Sequence, residues 1–212
     1  MADFIYLASK SPRRQELLRQ IDVEFHLLPP PDDAAAEALE APQPGESPSV
    51  YVRRVVGAKL DAALGRLAAS GLPAAPVLAA DTTVAVGGTM LGKPMHVDEA
   101  VQMLERLSGR THRVLTGIAV ASASRRRFAL NVSRVTFARL SRAQIDAYVA
   151  SGEPYDKAGG YGIQGRAGAF ARRIEGSYSG IMGLPLYETA RMLRGVLGTA
   201  PAGRSTQPQV PR

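Results

Sequence analysis

The segment Val77–Val86 is a mostly apolar run that carries one carboxylate, Asp81, near its middle. The run does not alternate apolar and polar residues, so it predicts a strand in which Asp81 does not simply face solvent. Gly87 and Gly88 then turn the chain into a short return strand, Thr89–Leu91. A carboxylate buried in such a strand is costly unless it is paired or binds a metal. Asp81 is therefore a candidate functional residue, with a cap or a strand-end turn as the alternative.

The remaining pattern alternates strands and helices early in the chain and then places two β-rich runs side by side. Ser141 and Gln144 have the spacing of a helix capping box, and Pro12 fits the first turn of a helix. We predict further strands over residues 4–8, 24–28, 114–121, 128–137 and 170–174, and helices over 12–20, 47–69, 97–107, 141–151 and 186–197. The polar segment 122–127, which contains three consecutive arginines, is predicted as a turn. This order indicates an α/β fold in which a mixed sheet is flanked by helices.

Length and composition exclude several classes of protein. With 212 residues, 45% of them hydrophobic, the chain is long enough for one sizeable core. No apolar run reaches the roughly 18 residues needed to span a bilayer, and no N-terminal segment has the pattern of a signal peptide. The absence of cysteine excludes disulfide scaffolds, thiol nucleophiles and thiolate zinc sites. The histidines lack metal-binding spacing, so a bound metal is expected to be a hard cation held by carboxylates.

Charge is distributed unevenly along the chain. The net charge is +7, but residues 32–46 contain five acidic residues and no basic residue, which leaves +12 on the rest. We predict that residues 29–47 form an acidic surface loop rich in Pro and Ala, and that residues 199–212 form a disordered tail. Residues 1–198 are then expected to form a single domain. A basic body suits an anionic partner such as a nucleotide or a nucleic acid, but it also suits a solubilising surface.

The segment SKSPRR at residues 9–14 follows the first predicted strand and opens the first helix. The hydroxyls of Ser9 and Ser11, the guanidinium groups of Arg13 and Arg14, and the N–H groups of the helix start together indicate an anion site of the phosphate type. The alternative is an N-cap serine followed by two surface arginines. The segment lacks the glycines of a Walker loop.

Two later segments add candidate residues. Lys93 follows the predicted hairpin, which can return it to the side of Asp81. A carboxylate, an ammonium group and a divalent ion are a reasonable set for hydrolysing a phosphoanhydride. The segment 156–165 contains four glycines, which let backbone approach a ligand closely, although a flexible loop is the alternative. Within it, Gln164, taken as a buried carboxamide, can offer one donor and one acceptor to a base edge.

Five blocks of the sequence, taken in order, resemble the Maf family of nucleoside triphosphate pyrophosphatases. They are LASKSPRRQELL, VLAADTTVAVGGTMLGKP, MLERLSGRTHRVLTG, YVASGEPYDKAGGYGIQG and IEGSYSGIMGLPLYETARML. The resemblance implies an elongated Maf/ITPase-like α/β fold with a cleft between two lobes. It also implies hydrolysis of a nucleoside triphosphate to the monophosphate and pyrophosphate, dependent on a divalent metal such as Mg²⁺ or Mn²⁺. A cytoplasmic homodimer with no membrane and no stable nucleic-acid partner is expected on the same ground.

The resemblance also assigns roles by position. Asp81 matches the family's proton acceptor, and Lys59 and Lys93 match active-site lysines. Three positions associated with substrate choice are matched by Arg13, Thr82 and Gln164. The motifs SPRR, ADT and GYGIQG resemble those of the subgroup that acts on dTTP and UTP.

The family usually has an acidic residue, a metal partner, in the loop after the second strand. That loop is longer here and contains several acids, so the match depends on the direction of counting. We assign the position to Glu40, which would bind the metal together with Asp81, and keep Glu37 and Asp33 as alternatives.

Three other functions compete with this interpretation. They are hydrolysis of 7-methyl-GTP, non-enzymatic binding of nucleic acid by the basic body, and a non-enzymatic role in septum formation. With 6% aromatic residues and no Trp, the chain offers few side chains for stacking on single strands. A panel of nucleotides, tested with and without metal, tests the enzymatic functions, and a salt-titrated binding assay tests nucleic-acid binding.

Overall fold

The computed structural model describes residues 3–123 and 125–197, which form a seven-stranded sheet surrounded by helices. The strands are β1 (Ile5–Leu7), β2 (Phe25–Leu27), β3 (Val77–Val86), β4 (Thr89–Leu91), β5 (Thr111–Ser122), β6 (Arg125–Phe137) and β7 (Ala171–Glu175). The α-helices are α1 (Pro12–Arg19), α2 (Asp33–Glu40), α3 (Pro48–Ser70), α4 (Val97–Leu107), α5 (Arg142–Val149), α6 (Tyr178–Met182) and α7 (Leu186–Arg194). Short 3₁₀ helices cover Glu153–Asp156, Ala158–Gly160 and Arg166–Phe170.

The sheet is mixed, as the sequence predicted. Its strand order is β2-β1-β3-β5-β6-β7, with β4 paired to β3. β1 runs parallel to β2 and β3, and the other pairs are antiparallel. Nine of the ten residues of β3 are buried, which is the pattern of a strand covered on both faces.

One edge of β3 is incomplete. The other edge pairs with β5 over residues 77–85. On the incomplete edge, β1 pairs only as far as Leu78, and β4 begins to pair only at Val84. In the described part of the chain, residues 79–83 therefore have no strand beside them on that edge. The centre of this open stretch is Asp81.

Alternating residues of β3 enter different cores, because successive side chains of a strand point to opposite faces of the sheet. Ala79 packs against α3 on one face, whereas Leu78 and Ala80 pack with α1 and α7 on the other. A third cluster joins α4 and α5 to the distal halves of β3, β5 and β6. By the same alternation, Asp81 faces α3 and Thr82 faces α1.

Helix α3 approaches the sheet very closely where it crosses β5. A Cβ atom added to Gly117 would lie 2.6 Å from Cγ1 of Val52, a buried residue of α3. Gly117 is the direct cross-strand partner of Asp81. The missing side chain therefore sets the distance between α3 and the part of the sheet that holds Asp81.

The predicted surface loop at residues 29–47 contains a helix, so that prediction was wrong for α2. Asp32 caps this helix by accepting a hydrogen bond from Ala35 N at 2.6 Å. Four of the eight residues of α2 are alanine, which has the highest helix propensity. Proline and acidic residues flanking the segment concealed this local preference.

Several predicted boundaries also differ. The arginines at 125–127 belong to β6 rather than to a turn, because β5 and β6 remain paired up to Ser122↔Arg125. The last helix ends at Arg194, with Gly195 as its C-cap, and not at Leu197. Helix α6 and the 3₁₀ helices were not predicted. The predicted tail, residues 199–212, lies outside the described residues.

None of the helices within residues 3–123 and 125–197 combines the length and the apolar character needed to cross a membrane.

The close approach of α3 predicts opposite effects for two glycine substitutions. Gly117→Ala should lower the free energy of unfolding by about 1–3 kcal/mol, because the β-branched Val52 must move away. Gly65 of α3 is the matched control, since a Cβ there meets nothing within 4 Å. Gly65→Ala should raise the free energy of unfolding by about 0.5–1 kcal/mol through helix propensity. Urea unfolding measures both, and a Gly117→Ala protein as stable as its parent would contradict the packing argument.

Candidate active site

The open stretch of β3 forms one wall of a pocket of about 280 Å³. The pocket lies between the cluster around α4 and α5 and the clusters around α1 and α3. The family resemblance implied a cleft between two lobes. All ten residues predicted for the site line it, although they are far apart in the sequence: Ser9, Ser11, Arg13, Arg14, Glu40, Lys59, Asp81, Thr82, Lys93 and Gln164. Their assigned roles remain predictions.

Lys59 joins the two predicted acidic residues at the base of the pocket. Its Nζ atom donates to Asp81 Oδ1 at 2.6 Å and to Glu40 Oε1 at 2.6 Å. Lys93 Nζ donates to the second carboxylate oxygen of Glu40, Oε2, at 3.3 Å. Asp81 is only 5% exposed, and its ion pair with Lys59 offsets the cost of burying a carboxylate in the strand. The network thus contains two carboxylates and two ammonium groups.

Helix α2 ends at Glu40, and contacts with α3 hold this end in place. Tyr51 Oη donates to the backbone oxygen of Glu40 at 2.8 Å, and Arg54 Nη2 donates to that of Ala41 at 2.9 Å. Burial favours the neutral form of the Glu40 carboxyl, but the charges and hydrogen bonds of Lys59 and Lys93 together outweigh burial. The pKa of Glu40 is therefore lowered from its ordinary value, and the side chain is ionised at neutral pH.

Of Glu40 and Glu37, the two candidate acids whose side chains the structure describes, Glu40 is the one that the fold brings to Asp81. Glu37 is exposed and does not line the pocket. The side chain of Asp33 lies outside the described part of the chain. The preference for Glu40 over Glu37 therefore has geometric support.

Arg14 connects three segments around the opposite side of β3. Its Nη1 atom donates to Ser9 Oγ at 3.2 Å, Nε donates to Gly183 O at 2.9 Å, and Nη2 donates to Thr82 Oγ1 at 3.5 Å. Burial lowers the pKa of Arg14, and the charge of Asp81 opposes that shift. The guanidinium group stays protonated at ordinary pH. Arg14 therefore organises the pocket wall as well as lining it.

The start of α1 has the features of the predicted anion site. Ser11 is the N-cap, but its hydroxyl makes no capping hydrogen bond, and its backbone N–H donates to Ser9 Oγ at 3.1 Å. Arg13 follows in the first turn, and its Nη1 atom pairs with Asp156 Oδ2 at 3.2 Å. Asp156 also contacts its neighbour Lys157. Sequence reasoning found both segments but not the ion pair between them.

Gln164 differs from its expected environment, because it is exposed at the pocket rim and not buried. Behind it, Glu153 accepts hydrogen bonds from Tyr148 Oη at 2.9 Å and from Arg166 N at 3.2 Å. A side chain on Gly165 would overlap the carboxylate of Glu153. Glu153 and Tyr148 thus shape the segment that presents Gln164, and sequence reasoning missed both. The sequence gives only a weak indication of Glu153, which is that it lies a few residues before the glycine-rich motif.

The carboxylates of this pocket suit a metal that is bound jointly with substrate. Within the described ranges, no group of three or more His, Cys, Asp and Glu side chains is placed to hold a metal ion. Asp81 and Glu40 supply two carboxylates, and both form ion pairs with Lys59. Mg²⁺ is commonly bound through one or two carboxylates, with waters and substrate phosphate oxygens completing its octahedron. The donor set therefore fits a hard divalent cation accompanied by a phosphate ligand.

The chain is similar to known proteins along nearly its whole length. The family model described as Maf-like protein matches residues 4–196. A protein of Cupriavidus metallidurans named dTTP/UTP pyrophosphatase is 58% identical over 194 residues, which are 92% of this chain and 97% of that protein. A protein of Burkholderia lata with the same name is 59% identical over 192 residues, which are 90% of this chain and 91% of that protein.

Among solved structures, the Staphylococcus aureus Ham1 protein matches with a TM-score of 0.38 and 12% identity, over 63% of this chain and 71% of its own. A likeness at that level carries no inference. The family match, in contrast, extends over β3, α3 and every segment that lines the pocket. On this evidence the chain belongs to the Maf-like protein family.

Proposed function

We propose that this chain is a nucleoside triphosphate pyrophosphatase that hydrolyses dTTP and UTP to the nucleoside monophosphate and pyrophosphate. The observation that carries the proposal is the network of Asp81, Lys59 and Glu40 in a pocket also lined by Arg13 and Lys93. It combines carboxylates, which transfer protons or bind metal, with cations that suit a triphosphate. The names of the two relatives support the same substrates.

In the proposed reaction, a water oxygen bonds to one phosphorus of the α–β anhydride. The bridging oxygen leaves with the electron pair of the broken bond, and the attacking water gives up a proton. Asp81 is the proposed acceptor of that proton, the role that the family resemblance assigns to its position. General-base assistance of this kind contributes about 10²–10⁴-fold to a rate.

The cations around Asp81 have two separate proposed roles. Lys59, held on α3, fixes the positions of Asp81 and Glu40 through its two short ion pairs. Arg13 and Lys93 offset the negative charge of the triphosphate, and Arg13 can bind phosphate oxygens in a bidentate way. Substrate binding then exchanges the contact of Arg13 with Asp156 for a contact with phosphate.

A divalent cation, Mg²⁺ or Mn²⁺, is the proposed cofactor, with Asp81 and Glu40 as its protein ligands. Such an ion supplies charge neutralisation at phosphate oxygens and a more acidic bound water. The lowered pKa of Glu40 supports this role, because a metal ligand must be deprotonated.

Assembly and location follow from the family resemblance and are proposals of the same kind. They are a homodimer, a cytoplasmic location, no stable nucleic-acid partner, the removal of modified nucleotides, and a link to cell-division arrest. The assignment of residues 1–198 to one catalytic domain is supported by the single sheet that all seven strands share.

The proposed function is tested by pyrophosphate release from dTTP, UTP, CTP, GTP and 7-methyl-GTP, with and without Mg²⁺ or Mn²⁺. We expect the highest kcat/KM for dTTP and UTP, and activity only with metal. A preference for 7-methyl-GTP, or no hydrolysis of any nucleotide, would contradict the proposal.

Asp81→Asn should lower turnover by about 10²–10⁴-fold, because an amide neither accepts the proton nor binds the metal as a carboxylate does. Asp61→Asn is the matched control. Asp61 is an exposed residue of α3 that pairs with Arg126 away from the pocket. Steady-state kinetics should show turnover close to that of the parent for Asp61→Asn. A folded Asp81→Asn protein with near-normal turnover would remove Asp81 from the mechanism.

Lys93→Ala should reduce kcat/KM by a similar factor for every nucleotide tested, because a contact with the triphosphate does not depend on the identity of the base. Arg106→Ala is the control, since it removes one positive charge from the exposed side of α4. The same nucleotide panel measures both variants. A change confined to base preference would show that Lys93 does not act on the phosphates.

Gln164→Glu should change the ranking of UTP, dTTP, CTP and GTP, because the carboxylate has lost the amide's hydrogen-bond donor. An unpaired polar group that the bound base removes from water costs about 1–3 kcal/mol, which corresponds to roughly 10–100-fold in kcat/KM between bases. Gln102→Glu, on the exposed face of α4, makes the same chemical change outside the pocket. Unchanged ratios in Gln164→Glu would exclude a contact of Gln164 with the base.

A further inference from the structure

A chain of hydroxyl groups runs from the pocket into the sheet through Thr82 and Thr116. The two residues are directly opposite each other in the β3–β5 pairing, so their side chains lie on the same face. Thr82 Oγ1 lies 2.9 Å from Thr116 Oγ1, and Thr116 Oγ1 lies 2.7 Å from Gly180 O. Thr82 lines the pocket, whereas Thr116 is 0% exposed and does not. Thr116 can therefore act on a bound molecule through its neighbours, such as Thr82, but not by direct contact.

The positions of the protons in this chain follow from its last member. The backbone oxygen of Gly180 only accepts hydrogen bonds, and each hydroxyl has one proton. Thr116 therefore donates its proton to Gly180. The short contact between the two hydroxyls then requires Thr82 to donate to Thr116. Thr82 has no second proton, so it offers only lone pairs to the pocket.

The contact with Arg14 also makes the Thr82 hydroxyl a hydrogen-bond acceptor. The Nη2 atom of Arg14 donates to Thr82 Oγ1 at 3.5 Å. A hydroxyl oxygen has two lone pairs, and one of them remains for a ligand. A group that Thr82 recognises in the pocket must therefore be a hydrogen-bond donor.

We propose that Thr116 is a positioning residue that makes Thr82 an obligate hydrogen-bond acceptor, and that Thr82 accepts the N3–H of a 2,4-dioxopyrimidine base. This inference rests on the proposed function and identifies how the pocket distinguishes pyrimidines. Uracil and thymine carry a hydrogen on N3, whereas cytosine has a lone pair there, which would face the lone pair of Thr82. An amide such as that of Gln164 can rotate to present either a donor or an acceptor. Thr82 can only accept, as long as its hydroxyl proton is donated to Thr116.

Thr116→Val tests the proposal, because it removes the acceptor for the Thr82 proton and keeps the branched shape. Gly180 O is not left unpaired, since it also accepts from Gly183 N at 3.1 Å. The freed Thr82 hydroxyl can then donate to N3 of cytosine. We expect the ratio of kcat/KM for UTP over CTP to fall about tenfold, the effect of one unpaired polar group. Thr116→Ser keeps the hydroxyl and should restore the ratio of the parent.

Equal losses for UTP and CTP in Thr116→Val, with the ratio unchanged, would mean a purely structural role and would overturn the inference. The unmutated protein provides a second test that does not depend on the folding of a variant. 3-Methyl-UTP lacks the N3–H and should lose at least about tenfold in kcat/KM against UTP. Hydrolysis of 3-methyl-UTP at the rate of UTP would overturn the inference. Failure to hydrolyse UTP at all would instead overturn the proposed function.

Discussion

The ion pair between Lys59 and Asp81 is the contact on which the arrangement of the pocket depends. A carboxylate in a strand that is buried on both faces is stable only with a partner, and α3 supplies that partner at 2.6 Å. The helix can come close enough because Gly117, the cross-strand neighbour of Asp81, has no side chain. The same ammonium group binds Glu40, so the end of α2 is positioned by the charge that stabilises β3.

The incomplete edge of β3 explains how one strand supplies two kinds of group to one pocket. Asp81 points toward α3 and meets Lys59, whereas Thr82 points toward α1 and meets Arg14 and Thr116. In a fully paired strand these two faces would be separated by neighbouring strands. Because β1 stops early and β4 starts late, the pocket reaches around the open edge to both faces. A register shift of one residue would exchange the two faces and destroy both arrangements.

Sequence reasoning predicted most of the sheet because the strands and helices differ in hydrophobic period and have clear caps and turns. It failed where local signals conflicted. The helix α2 was hidden by surrounding proline and acidic residues, although the Asp32 cap and the alanines determined it. The arginines at 125–127 were placed in a turn because they are charged, whereas backbone pairing with β5 extends through them. In both segments, hydrogen bonds outweighed composition.

The sequence by itself determined which residues are candidates for the site. A carboxylate in an apolar strand, arginines at a helix start and a glycine-rich segment each indicate a function from the local sequence, and the family resemblance added Glu40, Lys59 and Thr82 by position. Only the tertiary structure decided which of them meet. The choice of Glu40 over Glu37 depends on where α2 ends against α3, and the pairing of Arg13 with Asp156 joins segments 143 residues apart. The polarity of Thr82 likewise depends on a buried backbone oxygen from α6. Spacing along the chain contains no information on such contacts, since they arise from the packing of elements that are distant in sequence.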